Sequence, residues 1–233
     1  MTDNSLCSDL HQGGINAPFV VAYIRALLPE QKGRLAEMAR SAEERGIPIV
    51  QPEVARWLEV FMKTRPFFRV LEIGTAIGYS TALFAGGLAP GGLVETVEIS
   101  EEAYREAGEN LEALGLSGQV IRHLGDAAEV LPTLTGPFDL VFIDGAKGQY
   151  LRFLKLLEPM LTQEAIVLSD NVLFRGMTAT DAAVKRRKRT IVKRMRAYMD
   201  YIMAEGPYDT ALLPLGDGMA VSVYRGGRAE AER

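Results

Sequence analysis

Residues 69–85 constrain the fold of this chain more than any other stretch. Their sequence, RVLEIGTAIGYSTALFA, is typical of a short apolar strand, a glycine turn and a helix. Gly74 and Gly78 allow the backbone to turn sharply and let a ligand approach it closely. Their spacing differs from the G-x-G-x-x-G of dinucleotide-binding loops, and Glu72 would repel a pyrophosphate. The turn therefore favours a nucleotide-like cofactor that carries positive charge, although a purely structural turn remains the alternative.

The segments around this turn alternate between strand and helix patterns. Strands are predicted at 69–73, 93–98, 119–124, 140–144, 165–169, 210–214 and 219–224. Helices are predicted at 17–46 with a break at Pro29, then at 53–63, 79–88, 101–114, 127–131, 149–161 and 180–203. This alternation predicts an α/β fold with a seven-stranded, mostly parallel sheet that helices cover on both faces. The last two strands form a hairpin, which closes the sheet with an antiparallel strand.

Length and composition fit one domain of this kind. The chain has 233 residues, of which 48% are hydrophobic, so it can bury a sizeable core. No apolar run is long enough to span a bilayer, and the single cysteine excludes a disulfide framework, so we expect a cytoplasmic protein. The predicted division is a single domain at 17–228, with N-terminal helices at 17–66, a sheet core at 67–228 and tails at 1–16 and 229–233.

Acidic residues occur where the predicted strands end. Glu72, Glu98, Asp144 and Asp170 close four strands, and Asp126 lies just after a fifth. The carboxyl ends of parallel strands meet at one edge of the sheet, where open α/β sheets bind their ligands. Any one of these side chains could instead cap a helix or lie in solvent. Five of them along one edge indicate a binding site.

Two of these acids have the spacing of an adenosine site. Glu98 follows Gly74 by 24 residues, which suits a carboxylate that holds both hydroxyls of a ribose. Asp126 and Ala127, after the next strand, are placed to hold the exocyclic amine of an adenine. The ligand indicated is an adenosine that carries a group other than phosphate near Glu72.

The motifs FIDGAK and LSDN bring an oxygen-rich set to neighbouring strand ends. Asp144, Asp170 and Asn171 offer two carboxylates and an amide oxygen, which suit Mg²⁺ or Ca²⁺ and not zinc. A simple turn cap is the alternative for the last two residues. Lys147 is either a surface lysine or a base whose pKa a bound metal lowers.

Five motifs occur in order along residues 47–225: VLEIGTAIGYS, VETVEIS, GDAAEVLP, FDLVFIDGAK and LSDN. They resemble the cation-dependent S-adenosylmethionine O-methyltransferases, the group that contains the catechol and caffeoyl-CoA enzymes. The resemblance implies a Rossmann-like class I methyltransferase fold and a homodimer, with the N-terminal helices a plausible contact.

The same resemblance implies roles for individual residues. It implies that S-adenosylmethionine contacts Val50, Glu72, Gly74, Ser80, Glu98, Asp126, Ala127 and Asp144. It also implies that Mg²⁺ or another divalent cation is bound by Asp144, Asp170 and Asn171, with Lys147 as the catalytic base.

Four runs, DGAKGQY, DNVLFRG, KRTIVKRMRAY and LPLGDGMAVS, are similar to bacterial tRNA 5-hydroxyuridine methyltransferases. Gly145 and Ala146 stand where the animal catechol enzymes have a bulky aromatic pair, which weakens the small-catechol interpretation. The resemblance implies methylation of 5-hydroxyuridine to 5-methoxyuridine at the wobble position of the tRNA anticodon loop. The alternative is the same chemistry on a small catechol-like or phenolic metabolite.

Two other classes of function fit the residues less well. A nicotinamide oxidoreductase is disfavoured by Glu72 and by the glycine spacing of the first turn. A non-catalytic RNA-binding module is disfavoured because the metal and base residues are all present.

A basic segment at 185–196 holds eight Lys and Arg residues and no acid, although the net charge of the chain is −4. This asymmetry predicts local attraction to an anionic partner. We expect the segment to begin the last long helix and to hold tRNA phosphates, with a solvated helix face as the alternative. The residues predicted to do so are Arg186, Arg187, Lys188, Arg189 and Lys193.

Four further residues near the same segment have open roles. Phe174, Tyr198 and Tyr201 would either stack on a base or belong to the core. Asp217, in the closing hairpin, would either reach the substrate or serve the turn alone.

Overall fold

The central strands form at apolar runs that are buried on both faces, as expected for parallel strands covered by helices. In the strand FDLVFI, for example, five of six residues are buried. The computed structural model describes residues 15–226. Its strands are β1 (Arg69–Ile73), β2 (Leu93–Glu98), β3 (Val120–Leu124), β4 (Phe138–Ile143), β5 (Leu161–Ser169), β6 (Tyr208–Leu213) and β7 (Met219–Tyr224).

The seven strands join in the order β3-β2-β1-β4-β5-β7-β6, which confirms the predicted fold class. Strands β1 to β5 are mutually parallel, and β7 runs antiparallel to both β5 and β6. The antiparallel strand therefore lies inside the sheet, and β6 forms the edge. The strand order reverses between β1 and β4, and ligands of open α/β sheets bind at such a point.

Helices cover both faces of the sheet and bury one hydrophobic cluster on each. Phe138, Tyr150 and Tyr198 belong to one cluster, and Leu58 and Phe84 belong to the other. Within residues 15–226, no helix is long and apolar enough to cross a membrane. The α-helices are α1 (Pro18–Leu27), α2 (Gly33–Arg45), α3 (Pro52–Phe61), α4 (Tyr79–Gly86), α5 (Glu101–Ala113), α6 (Ala127–Val130), α7 (Tyr150–Leu157) and α8 (Arg189–Asp200).

The predicted helix at 180–203 is wrong over its first nine residues. The chain forms separate 3₁₀ turns at Asp181–Ala183 and Arg186–Lys188, and α8 begins only at Arg189. The Thr180 hydroxyl accepts a hydrogen bond from the backbone N–H of Ala182, which caps the first turn separately. Successive cations also oppose the positive end of a helix dipole, so they disfavour an earlier start. The basic segment is therefore partly a pair of turns.

The predicted tails, 1–16 and 229–233, lie outside the described residues except for Ile15 and Asn16. The Asn16 side-chain amide donates a hydrogen bond to the Pro214 carbonyl at 2.8 Å. The start of α1 is thereby held near the β6–β7 hairpin.

Candidate active site

A cleft of about 1040 Å³ opens at the carboxyl ends of β1 to β5. Each of these strands contributes an element to its wall, and the segment between α2 and α3 closes one side. The predicted site residues that line the cleft are Val50, Gly74, Ser80, Glu98, Asp126, Ala127, Asp144, Lys147, Asp170, Asn171 and Lys188. Four of the five acids predicted at this sheet edge thus line a single cavity, and Glu72 does not.

The glycines of the first turn are required by packing as well as by the cleft. Gly74 has a φ of 104°, and a Cβ added to it would lie 2.1 Å from the Asp144 carbonyl oxygen. Gly78 has a φ of 83°, and its added Cβ would lie 3.3 Å from the Cβ of Ala107. The turn can therefore press against β4 and α5, which directs the first residues of α4, including Ser80, into the cleft.

Glu72 lies behind the cleft wall and not on its surface. Its buried carboxylate accepts hydrogen bonds from Ser80 Oγ at 2.6 Å and Thr96 Oγ1 at 2.7 Å, and from the hydroxyl of Thr81. Burial raises the pKa of Glu72 to about 7, although these hydrogen bonds lower it in part. Because Ser80 donates its proton to Glu72, its oxygen can only accept a hydrogen bond from the cleft. Any action of Glu72 on a ligand passes through Ser80.

At the expected adenosine end of the cleft, the carboxylates accept hydrogen bonds from backbone N–H groups and can still accept more from a ligand. Glu98 accepts hydrogen bonds from the backbone N–H groups of Ala76 at 2.9 Å and Ser100 at 2.8 Å. Asp126 caps α6 by accepting from the Ala128 N–H at 2.8 Å. Both carboxylates also line the cleft, and each can accept further hydrogen bonds. The capping role that the sequence left open is therefore present alongside the predicted binding position.

An ion pair closes this end, and the sequence analysis did not identify it. The Arg45 guanidinium bonds both carboxylate oxygens of Glu106, at 2.6 and 2.8 Å, and lowers the pKa of that carboxyl. Both side chains line the cleft, together with Glu102. We call Glu98, Glu102, Glu106 and Asp126 the acidic end. The two partners of the ion pair are 61 residues apart, and no local pattern links them.

Asp144, Asp170 and Asn171 meet near the centre of the cleft, and we call them the oxygen set. Lys147 Nζ donates to Asn171 Oδ1 at 2.5 Å and lies 4.0 Å from Asp144 Oδ1. Asp170 Oδ1 accepts from the backbone N–H of Asn171 at 2.6 Å, and Asn171 has a left-handed φ of 57°. The structure therefore brings together all four residues that were predicted for metal binding and catalysis.

The oxygen set fits a divalent cation. Burial raises the pKa of Asp144, and burial together with Asp144 raises the pKa of Asp170 to about 7. The nearby Lys147 ammonium offsets these shifts only in part. Among residues 15–226, no group of three or more His, Cys, Asp and Glu is placed to hold a metal ion. A cation here would therefore depend on the Asn171 amide as the third protein oxygen, as the sequence predicts.

The opposite end of the cleft is basic and is built from irregular backbone. Phe174, Arg175, Lys185 and Lys188 line it, and we call these four residues the basic end. Phe174 and Arg175 have left-handed φ values of 46° and 55°. The Arg175 backbone N–H donates to Asp217 Oδ1 at 2.6 Å, so Asp217 both lines the cleft and holds this loop.

The remaining nucleic-acid candidates lie away from the cleft wall. Arg186 and Arg187 are exposed outside it, and Arg189 and Lys193 line a separate shallow groove along α8. Tyr198 is a core residue whose hydroxyl bonds Ser169. Tyr201 bonds Glu158 and does not line the cleft, so Phe174 is the one stacking candidate that does.

Arg175 was not identified by the sequence analysis. A signal for it was present, because the run FRG begins only three residues after Asn171 and must stay near the oxygen set. Lys185 was predicted only as the first residue of the basic segment, and its place in the cleft wall was not expected, since a helix was predicted where the chain forms turns.

Comparison with known proteins gives consistent matches over most of the chain. The model of a family described as O-methyltransferase matches residues 29–224. A catechol O-methyltransferase of Mycobacterium tuberculosis is 31% identical over 222 residues, which cover 90% of this chain and 97% of that protein. The O-methyltransferase TomG from Streptomyces achromogenes, solved with SAM, is 26% identical, with a TM-score of 0.78 and coverage of 89% and 96%. An O-methyltransferase from Bacillus cereus, solved with SAH, is 25% identical, with a TM-score of 0.79 and coverage of 92% and 99%.

Proposed function

Since the chain belongs to this family of S-adenosylmethionine-dependent O-methyltransferases, we propose that it methylates the 5-hydroxyl group of 5-hydroxyuridine in the tRNA anticodon loop, at the wobble position. The product is 5-methoxyuridine. The observation that carries the RNA substrate is the group of cations beside a cleft that also holds the oxygen set.

The residues of the cleft would divide the work of this reaction. When bound, S-adenosylmethionine supplies an electrophilic methyl group and Mg²⁺ supplies charge that favours an ionised hydroxyl. Asp144, Asp170 and Asn171 would hold the cation, and Lys147 Nζ, beside them, would accept the proton of the substrate hydroxyl. Holding both reactants in one cleft is worth up to about 7–11 kcal/mol of the barrier.

The cofactor would lie across the cleft from Val50 to the acidic end. Glu98 would hold the ribose hydroxyls, and Asp126 and Ala127 would bind the adenine. Ser80, whose proton is held by Glu72, offers only an acceptor and would suit the ammonium group of the methionine moiety.

The start of α8 supports an anionic partner. Arg189 follows the basic turn Arg186–Lys188, and the helix has neither a side-chain cap nor an acid in its first turn. Within residues 15–226, Lys185 and the four cations that follow it form no ion pair. The positive end of the helix dipole and the cations beside it repel each other. A phosphate bound between them would stabilise both the helix end and the cations.

A second candidate function is methylation of a small catechol-like or phenolic metabolite. The similarity to a catechol O-methyltransferase favours it. This reaction would use the same oxygen set and the same base, but it would leave the cations around the basic end without a role.

We also propose a homodimer in which α1 contacts a second copy of the chain. Helix α1 has no buried residue, and Phe19, Tyr23 and Leu27 are 77%, 66% and 67% exposed. An apolar helix face of this kind is typical of an interface. Sedimentation analysis should give twice the chain mass, and replacing Phe19 and Leu27 with Glu should give the mass of one chain.

Mass spectrometry of tRNA nucleosides tests the proposed reaction. Transfer RNA that carries 5-hydroxyuridine is incubated with the protein, S-adenosylmethionine and Mg²⁺, in parallel with catechol as the acceptor. We expect 5-methoxyuridine from the wild type, and none from Asp144→Ala or in excess chelator. Methylated catechol with unmodified tRNA would support the second candidate function, and undiminished turnover in chelator would reject the metal.

A further inference from the structure

The cleft is divided by charge along its length. The acidic end lies where strands β2 and β3 terminate, and the basic end lies beyond the oxygen set. Phe174 and Arg175 follow Asn171 by only three and four residues, so the basic end begins directly beside the proposed reaction site. Because the proposed cofactor would fill the acidic end, a substrate whose hydroxyl reaches the oxygen set would enter past the basic end.

The cations around the basic end fall into two groups, an inner group that lines the cleft and an outer group that does not. Arg175 and Lys185 are exposed yet line the cleft, as does Lys188, whose Nζ lies 5.8 Å from the centroid of the Phe174 ring. Arg187 and Arg189 lie outside the cleft wall. The inner cations can touch the part of a substrate that enters the cleft, and the outer ones cannot.

The loop that carries Arg175 is held in place from two sides. Asp217 accepts a hydrogen bond from the Arg175 N–H, and Arg196 donates to the carbonyls of Met177 at 3.3 Å and Thr178 at 3.0 Å. Arg196 also pairs with Asp181 at 2.7 Å. Arg196 is thus committed to the protein. The Arg175 guanidinium forms no ion pair among residues 15–226, although burial raises the pKa of the nearby Asp217 carboxyl and the charge of Arg175 offsets part of that rise.

We propose that Phe174, Arg175 and Lys185 form a subsite for a phosphate group that lies next to the ring bearing the reacting hydroxyl. Guanidinium and ammonium groups bind phosphate oxygens by charge-assisted hydrogen bonds, and the Phe174 ring would contact the substrate ring. The inference rests on the proposed function and makes it narrower. The enzyme selects a phosphate-bearing nucleotide over the free nucleoside, and the outer cations serve phosphates further along the RNA.

Three substrates of increasing size test this division. They are 5-hydroxyuridine nucleoside, a trinucleotide with 5-hydroxyuridine at its centre, and the complete tRNA. For Arg175→Gln and Lys185→Gln, the ratio of kcat/KM for trinucleotide to that for nucleoside should fall about tenfold, since a charged hydrogen bond to phosphate is lost. In the double variant Arg187→Gln/Arg189→Gln, the ratio of kcat/KM for trinucleotide to that for nucleoside should stay unchanged, while kcat/KM for tRNA falls. Lys63→Gln, at an exposed residue that does not line the cleft, is the control.

The results separate this inference from the proposed function. An equal loss on nucleoside and trinucleotide, or no loss on either, would overturn the phosphate subsite. If the wild type methylates tRNA alone, an equal loss of kcat/KM on tRNA for the inner and the outer variants would overturn the subsite. If the wild type methylates none of the three substrates, the proposed function fails, and the same variants are compared on catechol and on a catechol that carries a phosphate ester on its ring. Loss confined to the phosphate ester would then support the subsite with another substrate, and equal losses on both would overturn it.

Discussion

The two ends of the cleft are built in different ways. At the acidic end, side chains stand on strand ends and helix caps, and their carboxylates bond backbone N–H groups or Arg45. At the basic end, Phe174 and Arg175 are left-handed residues, and Lys185 and Lys188 lie before and within a 3₁₀ turn. The three cations of this end form no ion pair among residues 15–226. The sheet fixes one end, and loops fix the other.

This difference assigns different roles to the two ends. A cofactor that is common to a family requires a constant, rigid site, which strand ends supply. Substrates differ among related enzymes, and loops on a rigid scaffold can vary without loss of the fold. We therefore expect the basic end to determine which substrate this chain accepts. If the two roles are independent, a change at one end should alter the affinity for one ligand and leave the affinity for the other unchanged.

The largest expected effect lies between the ends, in the oxygen set. Asp170→Asn keeps the shape of the side chain but removes one of the two charges that would hold the cation. We expect kcat/KM for methyl transfer to fall by at least about 10³-fold, because several kcal/mol of charge stabilisation are lost. Asp209→Asn, at an exposed acid of β6 that lines neither the cleft nor the groove along α8, is the matched control. A loss below tenfold would place the metal elsewhere.

The second prediction concerns the buried carboxylate behind the acidic end. The pKa of Glu72 is raised from 4.5 to about 7, so the folded state binds its proton more tightly than the unfolded state. The free energy of unfolding should therefore fall as pH rises from about 4.5 to 7, by up to about 3 kcal/mol. Glu72→Gln should reduce this slope in denaturant titrations between pH 5 and 8 and leave the part that Asp144 and Asp170, whose pKa values are also raised, contribute. Glu129→Gln, an exposed control, should keep the full slope. Parallel curves for wild type and Glu72→Gln would contradict this account of the carboxyl.

The third prediction concerns the outer cations near the basic end. Replacing Arg186, Arg187 and Arg189 with Gln should weaken tRNA binding and reduce the slope of log K against log salt by about 0.7–0.9 per lost phosphate contact. Cofactor affinity, measured by calorimetry on the same variant, should not change, since these residues do not line the cleft. An unchanged salt slope would remove the basic segment from RNA binding.

The smallest effect is expected at the closure of the acidic end. Arg45 and Glu106 are half-exposed, and exposed ion pairs contribute little. Arg45→Ala should raise the cofactor dissociation rate by no more than severalfold, as followed by stopped flow, and should leave tRNA affinity as it is. A change in tRNA affinity would show that the two ends are coupled.

The features that the sequence predicted are those of the strand ends, and the features that it missed lie in loops or join distant residues. The strands and the oxygen set were predictable, because apolar runs and the acids that end them are local signals with a fixed place at a sheet edge. Arg45 and Glu106 were not, because a pair 61 residues apart leaves no local pattern. The turns before α8 were missed because a dense run of basic residues resembles a helix in composition while opposing its dipole. Glu72 was expected on the cleft surface, and only three-dimensional packing shows that Ser80 stands in front of it.

A crystal structure with Mg²⁺ and S-adenosylhomocysteine tests the central claim most directly. We predict an octahedral ion about 2.1 Å from oxygens of Asp144, Asp170 and Asn171, with Lys147 moved off the Asn171 amide and open positions facing the basic end. An ion bound elsewhere, or these side chains turned away from an otherwise filled cleft, would contradict the account.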